Sequence, residues 1–335
     1  MKIIIDAMSG DNAPEAIVSG CVMAAREFGQ EYILVGKEPV IRDLLAKEQA
    51  EGLPISIRHA DDVIDMHDDP ATAVRRKKEA SMSVALRMLK DGEGDALISA
   101  GNTGALLSGA TLVTKRIRGI RRAALPTQLP CRGGHVLLLD SGANAECTPE
   151  YLMQFAYMGS FYAEKVMGIQ KPRVGLVNNG AEDTKGDTLR KETYAMLQAA
   201  GDAGRINFIG NVEGSDVPKG ACDVAVTDGF TGNVMLKTVE GVAGFLMGEL
   251  KNMFLTNTRT KLSYLLLKPA MGGLKKMLSS SEVGGAPFLG ISKPVFKAHG
   301  SSDARAIRSA VKQAMAYVDA DLTGEIERNM DYMTL

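Results

Sequence analysis

Short apolar bursts alternate along the chain with helix-length segments whose apolar positions recur three and four residues apart. Ile3, Ile4 and Ile5 read as a first buried strand. Pro14 then stands near the start of a helix with Ile17, Val18, Cys21, Val22 and Ala25 on one stripe. "YILVG" predicts the next strand, with a helix after Pro39, and "ISIRHA" another. A long charged helical stretch is expected from there through Lys90. "DALISA", "HVLLLD", "RVGLVNN", "INFIGN" and "CDVAVTD" complete the set, most of them followed by a helical pattern. Strands that are apolar throughout, rather than at alternate positions, are covered on both faces, which is the mark of a mostly parallel sheet. The pattern therefore predicts an α/β protein, a three-layer α/β/α sandwich on a doubly wound sheet.

Residues 241–281 break the rhythm. Two helical pieces meet near "TNTRT", and Leu265, Leu266 and Leu267 run consecutively ahead of Pro269. This stretch is too apolar for a solvated hairpin, so a protruding helical hairpin is expected. "APFLGI" and "PVFKAHG" then read as strands before a last helix from about Ser302. With no low-complexity stretch or evident linker, residues 1–335 are expected to form one domain carrying this excursion.

Composition narrows the function. The chain has 335 residues, 45% hydrophobic and 24% charged, with a formal net charge of −1. No global field recruits nucleic acid. Four scattered cysteines and four histidines make a metal site unexpected, and reduced thiols in a cytosol are the expectation. No segment approaches the ~20 apolar residues of a membrane span, and "MKIIIDAMSGD" reads as a strand rather than a signal peptide.

Gly and Asn recur together at predicted strand ends: "AGNTG" (100–104), "DSGAN" (140–144), "NNG" (178–180), "GNVEG" (210–214) and "DGFTGN" (228–233). Each alone is ordinary turn chemistry. Five at the carboxyl ends of parallel strands point to a ligand crevice, because glycine admits backbone N–H groups and asparagine supplies both a donor and an acceptor. The dinucleotide, P-loop and GxSxG patterns are missing. A site rich in neutral donors and poor in nucleophiles suits a reaction whose nucleophile arrives with the substrate. One cation stands in the set, Lys185 in "NNGAEDTKGD", either a solvated loop lysine or part of an anion pocket. In "HGSSDAR" (299–305), Ser301 or Ser302 reads as a helix N-cap with Asp303 in the first turn, or else His299 and the free amides face the crevice.

Two clusters, "RRKK" (75–78) and "KRIRGIRR" (115–122), are basic in a chain otherwise neutral, either as solvated helix faces or as a dock for an acidic partner. In the excursion, Phe254, Leu255, Tyr264, Leu265, Leu266, Leu267 and Met271 form an apolar set flanked by Lys251, Lys261, Lys268, Lys275 and Lys276. That arrangement suits an interfacial membrane anchor or a dimer interface, or both.

Taken together, "IDAMSGDNAP", "SAGNTGALL", "LLLDSGAN", "PRVGLVNNGAEDTKGD", "INFIGNVEG", "VTDGFTGNVMLKTVEG" and "KAHGSSDARAI" resemble the phosphate acyltransferases of bacterial phospholipid synthesis, the acyl-ACP:phosphate transacylases. The resemblance runs over nearly the whole chain. It departs at Ser9 and Asn12, where the family's opening usually carries glycine and histidine, and at Ser141 and Thr184. It implies a fold similar to the isopropylmalate dehydrogenase and phosphotransacetylase type, a homodimer, no cofactor, and transfer of a long-chain acyl group from acyl carrier protein to inorganic phosphate. For that reaction Lys185 is expected to bind phosphate or the oxyanion. Asn102, Thr103, Asn144, Asn179 and Asn233 are expected to orient hydrogen bonds, with Thr231 and Ser301 beside the substrate. Asp228 is expected to order its loop, and His299 to protonate the leaving thiolate. Arg116, Arg118, Arg121 and Arg122 are the expected dock for the acidic carrier, and Phe254, Leu255, Leu265 and Leu266 the expected membrane contact at the inner face of the cell membrane. The alternatives are a short-chain phosphotransacylase using acyl-coenzyme A and a non-catalytic membrane scaffold.

Overall fold

The computed structural model describes residues 1–277 and 284–333, apart from the side chains of residues 270 and 274–277. The strands divide between two sheets. The first contains β1 (Lys2–Asp6), β2 (Glu31–Gly36), β3 (Ile55–His59), β4 (Ala96–Ser99), β10 (Gly285–Pro287) and β11 (Val295–Ala298), in the order β10-β11-β4-β1-β2-β3. The second contains β5 (Thr127–Cys131), β6 (Gly134–Leu139), β7 (Arg173–Asn178), β8 (Asn207–Glu213) and β9 (Val224–Val226), in the order β5-β6-β9-β7-β8. Each is parallel except for one antiparallel edge pair, β10 with β11 and β5 with β6.

The continuous apolar strands have the predicted cause. Along β1, Ile3 and Ile5 enter one hydrophobic cluster, while Ile4 enters another on the opposite face. The Ile3 face packs against α1 (Glu15–Phe28) and α10 (Ala304–Asp319), through Ile17, Cys21, Ile307 and Val311. The Ile4 face is covered by α4 (Ser81–Lys90) and α5 (Thr103–Gly109), which continues as a π-helical turn over Ala110–Thr114. On the second sheet, Leu137 and Leu139 join the Ile3 cluster with α6 (Pro149–Lys165) and α7 (Thr188–Asp202), while Val136 and Leu138 face Met235 and Leu236 of α8 (Gly229–Leu255). One hydrophobic cluster thus touches both sheets. Segment 115–125 ties them together: Ala124 exchanges two hydrogen bonds with Leu289 on one side, and Leu125 bonds Asp140 and Ser141 on the other.

The structure corrects several expectations. No single helix runs to Lys90: after α2 (Glu38–Lys47) and β3, the chain loops through Pro70 into the four-residue α3 (Ala73–Arg76) and only then into α4. The cap of α10 is Asp303, whose carboxylate accepts from the Ala306 N–H at 2.8 Å, not Ser301 or Ser302. "KRIRGIRR" lies in the inter-sheet segment and forms no helix, and in "RRKK" only Arg75 and Arg76 are helical. Edge strand β5 and the terminal helices α11 (Leu322–Arg328) and α12 (Met330–Met333) had no forecast. The excursion is a helical hairpin, α8 turning at Thr256 and Asn257 into α9 (Thr258–Met277), with the Phe254 and Tyr264 rings in tilted contact at 5.2 Å between centroids.

Candidate functional site

The Gly/Asn strand ends form two groups, one per sheet. Among the described residues no hydrogen bond joins the two groups directly.

In the second sheet, Asp140 ends β6 as a fully buried carboxyl. It accepts from the N–H groups of Leu125, Gly142, Ala143 and Asn144 and from Asn144 Nδ2. Burial raises its affinity for a proton, and these donors oppose that by favouring the anion; burial is the larger effect. Asn144 Nδ2 also donates to the Ala123 carbonyl at 2.8 Å, and the Asn144 carbonyl receives the Gly229 N–H at 2.7 Å. The "DSGAN" loop is thereby fastened to the first turn of α8. Asp228 caps that helix, accepting from Thr231 N–H and Oγ1, and pairs with Arg190, which also reaches Thr231 Oγ1 at 3.1 Å. Asn233, exposed one turn on, donates to the Ser141 carbonyl at 3.1 Å. Gly232 permits this close seating, because a Cβ there would lie 1.9 Å from the Asp140 carbonyl oxygen.

Lys185 and Asn179 stand on the neighbouring loop after β7, both exposed. Asn178 Nδ2 fixes that loop by donating to the Lys185 carbonyl at 3.2 Å, and Asn179 N–H returns to Asn178 Oδ1 at 2.8 Å. A cavity of about 600 Å³ opens beside this group, with Cys147, Arg190, Asp228 and Thr231 in its wall. Burial pushes the Cys147 thiol up to about 12, so it stays protonated and is no nucleophile near neutral pH.

In the first sheet, Asn102 is the N-cap of α5: Oδ1 accepts from Ala105 N–H at 3.1 Å while Nδ2 donates to the Met66 carbonyl at 3.2 Å. Thr103 opens the helix. His299, exposed after β11, accepts the Ser301 N–H at Nδ1 and contacts Ser301 Oγ at 2.8 Å. Asn12 donates to the Ser301 and Ser302 carbonyls, tying the opening "DAMSGDN" loop to "HGSS". Gly10 (φ 119°) lies between Ala100 and Gly300, where a side chain would not fit.

Sequence reasoning left several residues of these groups without a site role. Lys297, next to the end of β11, donates from Nζ to the Ala100 carbonyl at 3.2 Å and to the Ala298 carbonyl, with Asp6 and Asp11 nearby. Burial lowers it to about 8 against the pull of those two acids. The signal was a lone cation inside the apolar run "PVFKA". Ser9 and Ser302 in the same group have buried hydroxyls with no hydrogen-bond partner among the described residues. Asp140 and Arg190 were likewise unmarked; the signal for Asp140 was an acid closing "LLLD". Among the described residues no three His, Cys, Asp or Glu side chains converge to hold a metal ion.

Of the arginines expected to dock a partner, Arg121 pairs with Glu150 at 2.9 Å, Arg116 donates to the Arg121 carbonyl, and Arg122 lies 5.7 Å from the Tyr151 ring centroid. Arg118 makes no ion pair among the described residues. On the hairpin, Leu255, Leu265 and Leu266 are 52%, 64% and 80% exposed and Phe254 is half-buried, so an apolar surface faces outward. Lys251, Lys261 and Lys268 are exposed beside it; the side chains of Lys275 and Lys276 lie outside the described residues. No described helix is long and apolar enough to cross a membrane.

This architecture belongs to the phosphotransacetylase class of α/β folds. The EutD phosphotransacetylase from Staphylococcus aureus superposes with a TM-score of 0.59 over 94% of both chains at 14% identity. A phosphotransacetylase from Streptococcus pyogenes gives 0.58 over 94% of both chains at 17% identity. At such identities the likeness concerns the fold. The family is fixed by the sequence itself. Residues 1–324 match the family described as "Fatty acid synthesis protein". The chain is 46% identical over 331 residues to a phosphate acyltransferase of Clostridium botulinum, covering 98% of each, and 48% identical over 330 residues to one of Streptococcus pneumoniae, again covering 98% of each. The chain belongs to the phosphate acyltransferase family and is an acyltransferase.

Proposed function

We propose that this protein moves a long-chain acyl group from the thioester of acyl carrier protein to inorganic phosphate, supplying acyl-phosphate for phospholipid synthesis. The observation that carries the reading is the group at the ends of β6, β7 and β9: the exposed side chains of Asn179 and Asn233 on anchored loops, the exposed ammonium of Lys185, and a thiol held protonated. Such a site offers charge stabilisation and no nucleophile of its own. A phosphate oxygen attacks the thioester carbonyl carbon, the C–S bond breaks, and the proton of hydrogen phosphate ends on the departing sulfur. Acyl-phosphate and free thiol result, and the balance needs no other reactant. A preorganised donor at the developing oxyanion contributes roughly 3 kcal/mol. Lys185 holds phosphate or that oxyanion; Asn179 and Asn233 flank it, while Asn144, Asp228 and Thr231 bind substrate or keep the wall in place. Asn102, Thr103, His299 and Ser301 act from the first sheet, with His299 relaying the phosphate proton to sulfur.

The same reading makes residues 1–335 one acyltransferase domain, working as a homodimer in the cytoplasm with its hairpin tip on the inner face of the membrane. The arginine segment 116–122 receives the acidic carrier, a pairing that mainly speeds encounter. The phosphotransacetylase-like fold keeps a coenzyme A-dependent short-chain reaction as the competing reading.

Purified protein incubated with palmitoyl-acyl carrier protein and phosphate should release thiol and form acyl-phosphate, with acetyl-coenzyme A a far poorer donor. In the same assay Lys185→Ala should lower turnover by about 10²–10³-fold. Preference for acetyl-coenzyme A would overturn the donor assignment, and undiminished turnover would overturn that of Lys185.

A further inference from the structure

Beside the polar cavity lies a second hollow of about 410 Å³, whose character is different. Leu129, Val217, Val234, Met235 and Val239 face it, and the two cavities share Phe230 and Thr231 as a common wall. The volume falls in the range of small-molecule sites. Phe230 and Val234 are 67% and 51% exposed although they stand at the root of α8, against the body of the protein. From there exposed apolar side chains continue at helical steps along the same helix, through Val242, Phe245 and Leu246.

We infer that this groove holds the fatty-acyl chain of the substrate, with its carbonyl end at Thr231 and its methyl end directed along α8. The inference rests on the acyl-transfer reading above and adds to it the place where chain length is sensed. Continuity argues for this occupant. The reacting carbonyl must lie among polar donors while the hydrocarbon must leave water, and here a polar and an apolar cavity meet at one residue pair.

Each methylene buried contributes about 0.8 kcal/mol, or about fourfold in affinity. With acyl carrier protein thioesters from four to sixteen carbons and inorganic phosphate, kcat/KM of the wild type should climb by about that factor per methylene until the chain outgrows the groove. Val234→Trp fills the groove from an exposed position, so folding is not at risk. It should lower the ratio of kcat/KM for sixteen carbons to that for four by at least thirtyfold. Val40→Trp, on the distant α2, should keep the wild-type ratio. Circular dichroism and unfolding midpoints report whether the variants are folded. Absence of transfer to phosphate by the wild type at every chain length would defeat the acyl-transfer reading itself. An active wild type with an unchanged ratio in Val234→Trp would defeat only the groove. An unchanged ratio together with a shift to monomer in sedimentation would assign this face to a second copy of the chain instead.

Discussion

Lys297, Cys147 and Asp140 carry ordinary side chains made unusual by burial, and in each the charged form is the one penalised. For Lys297 the consequence has a definite sign. Its pKa falls from 10.5 to about 8 on folding. Between those values the unfolded chain holds more protons on this residue than the folded one, so its contribution to stability rises with pH. Below pH 8 both states are charged and the burial cost is constant. Urea unfolding should therefore show wild type gaining on Lys297→Met as pH is raised from 8 to 10; a difference that stays flat across that window would contradict the burial of the charge. The size of these shifts was not legible in sequence, although a lone lysine inside the apolar run "PVFKA" hinted at burial. The strand-end asparagines were legible, because the chemistry of Gly-Asn turns is local. What local reading missed is that most of them are already spent: Asn102 caps a helix and Asn144 fastens a loop.

At the scale of elements, α8 connects the site to the outside. It starts at Asp228, packs Met235 and Leu236 on the second sheet, and then leaves the body. Two of its glycines have opposite roles. At Gly232 a methyl group would strike a backbone oxygen that cannot move aside, whereas at Gly241 there is open space. Gly232→Ala should cost about 3 kcal/mol in chemical denaturation, and Gly241→Ala should gain up to about 1 kcal/mol through helix propensity. Equal effects would mean that the root of α8 is not tightly seated. Most buried strands and the helices that follow them were read correctly from their periodicity. Strand β5, "TQLPC", was not, since Pro130 and its polar neighbours blur the alternation and its partner is supplied by the hairpin at Gly133 and Gly134. The stretch before Lys90 misled because its charges suggested a solvated helix. Its acids instead serve a loop: Asp68 pairs with Lys77, and Asp65 and Asp69 accept backbone N–H groups.

For the whole molecule, the hairpin is the feature the single chain leaves unpartnered. Among the described residues Leu266 is its most exposed large apolar side chain. Replacing Leu265 and Leu266 by aspartate should abolish flotation with phosphatidylglycerol-containing vesicles, if the tip inserts between headgroups flanked by lysines. Flotation equal to wild type would leave the hairpin to dimerisation alone. The sequence by itself determined the alternation of doubly covered strands with helices, the helical excursion, and the neutral, donor-rich chemistry of the strand ends. These are written in side-chain period and turn chemistry, which depend on near neighbours. Only the tertiary structure decided which sheet each strand joins, that one hydrophobic cluster serves both, that the Gly-Asn turns fall into two groups, and where an apolar groove meets a polar cavity. Those depend on pairings between residues far apart in the chain, and on how much water each buried group loses when they form.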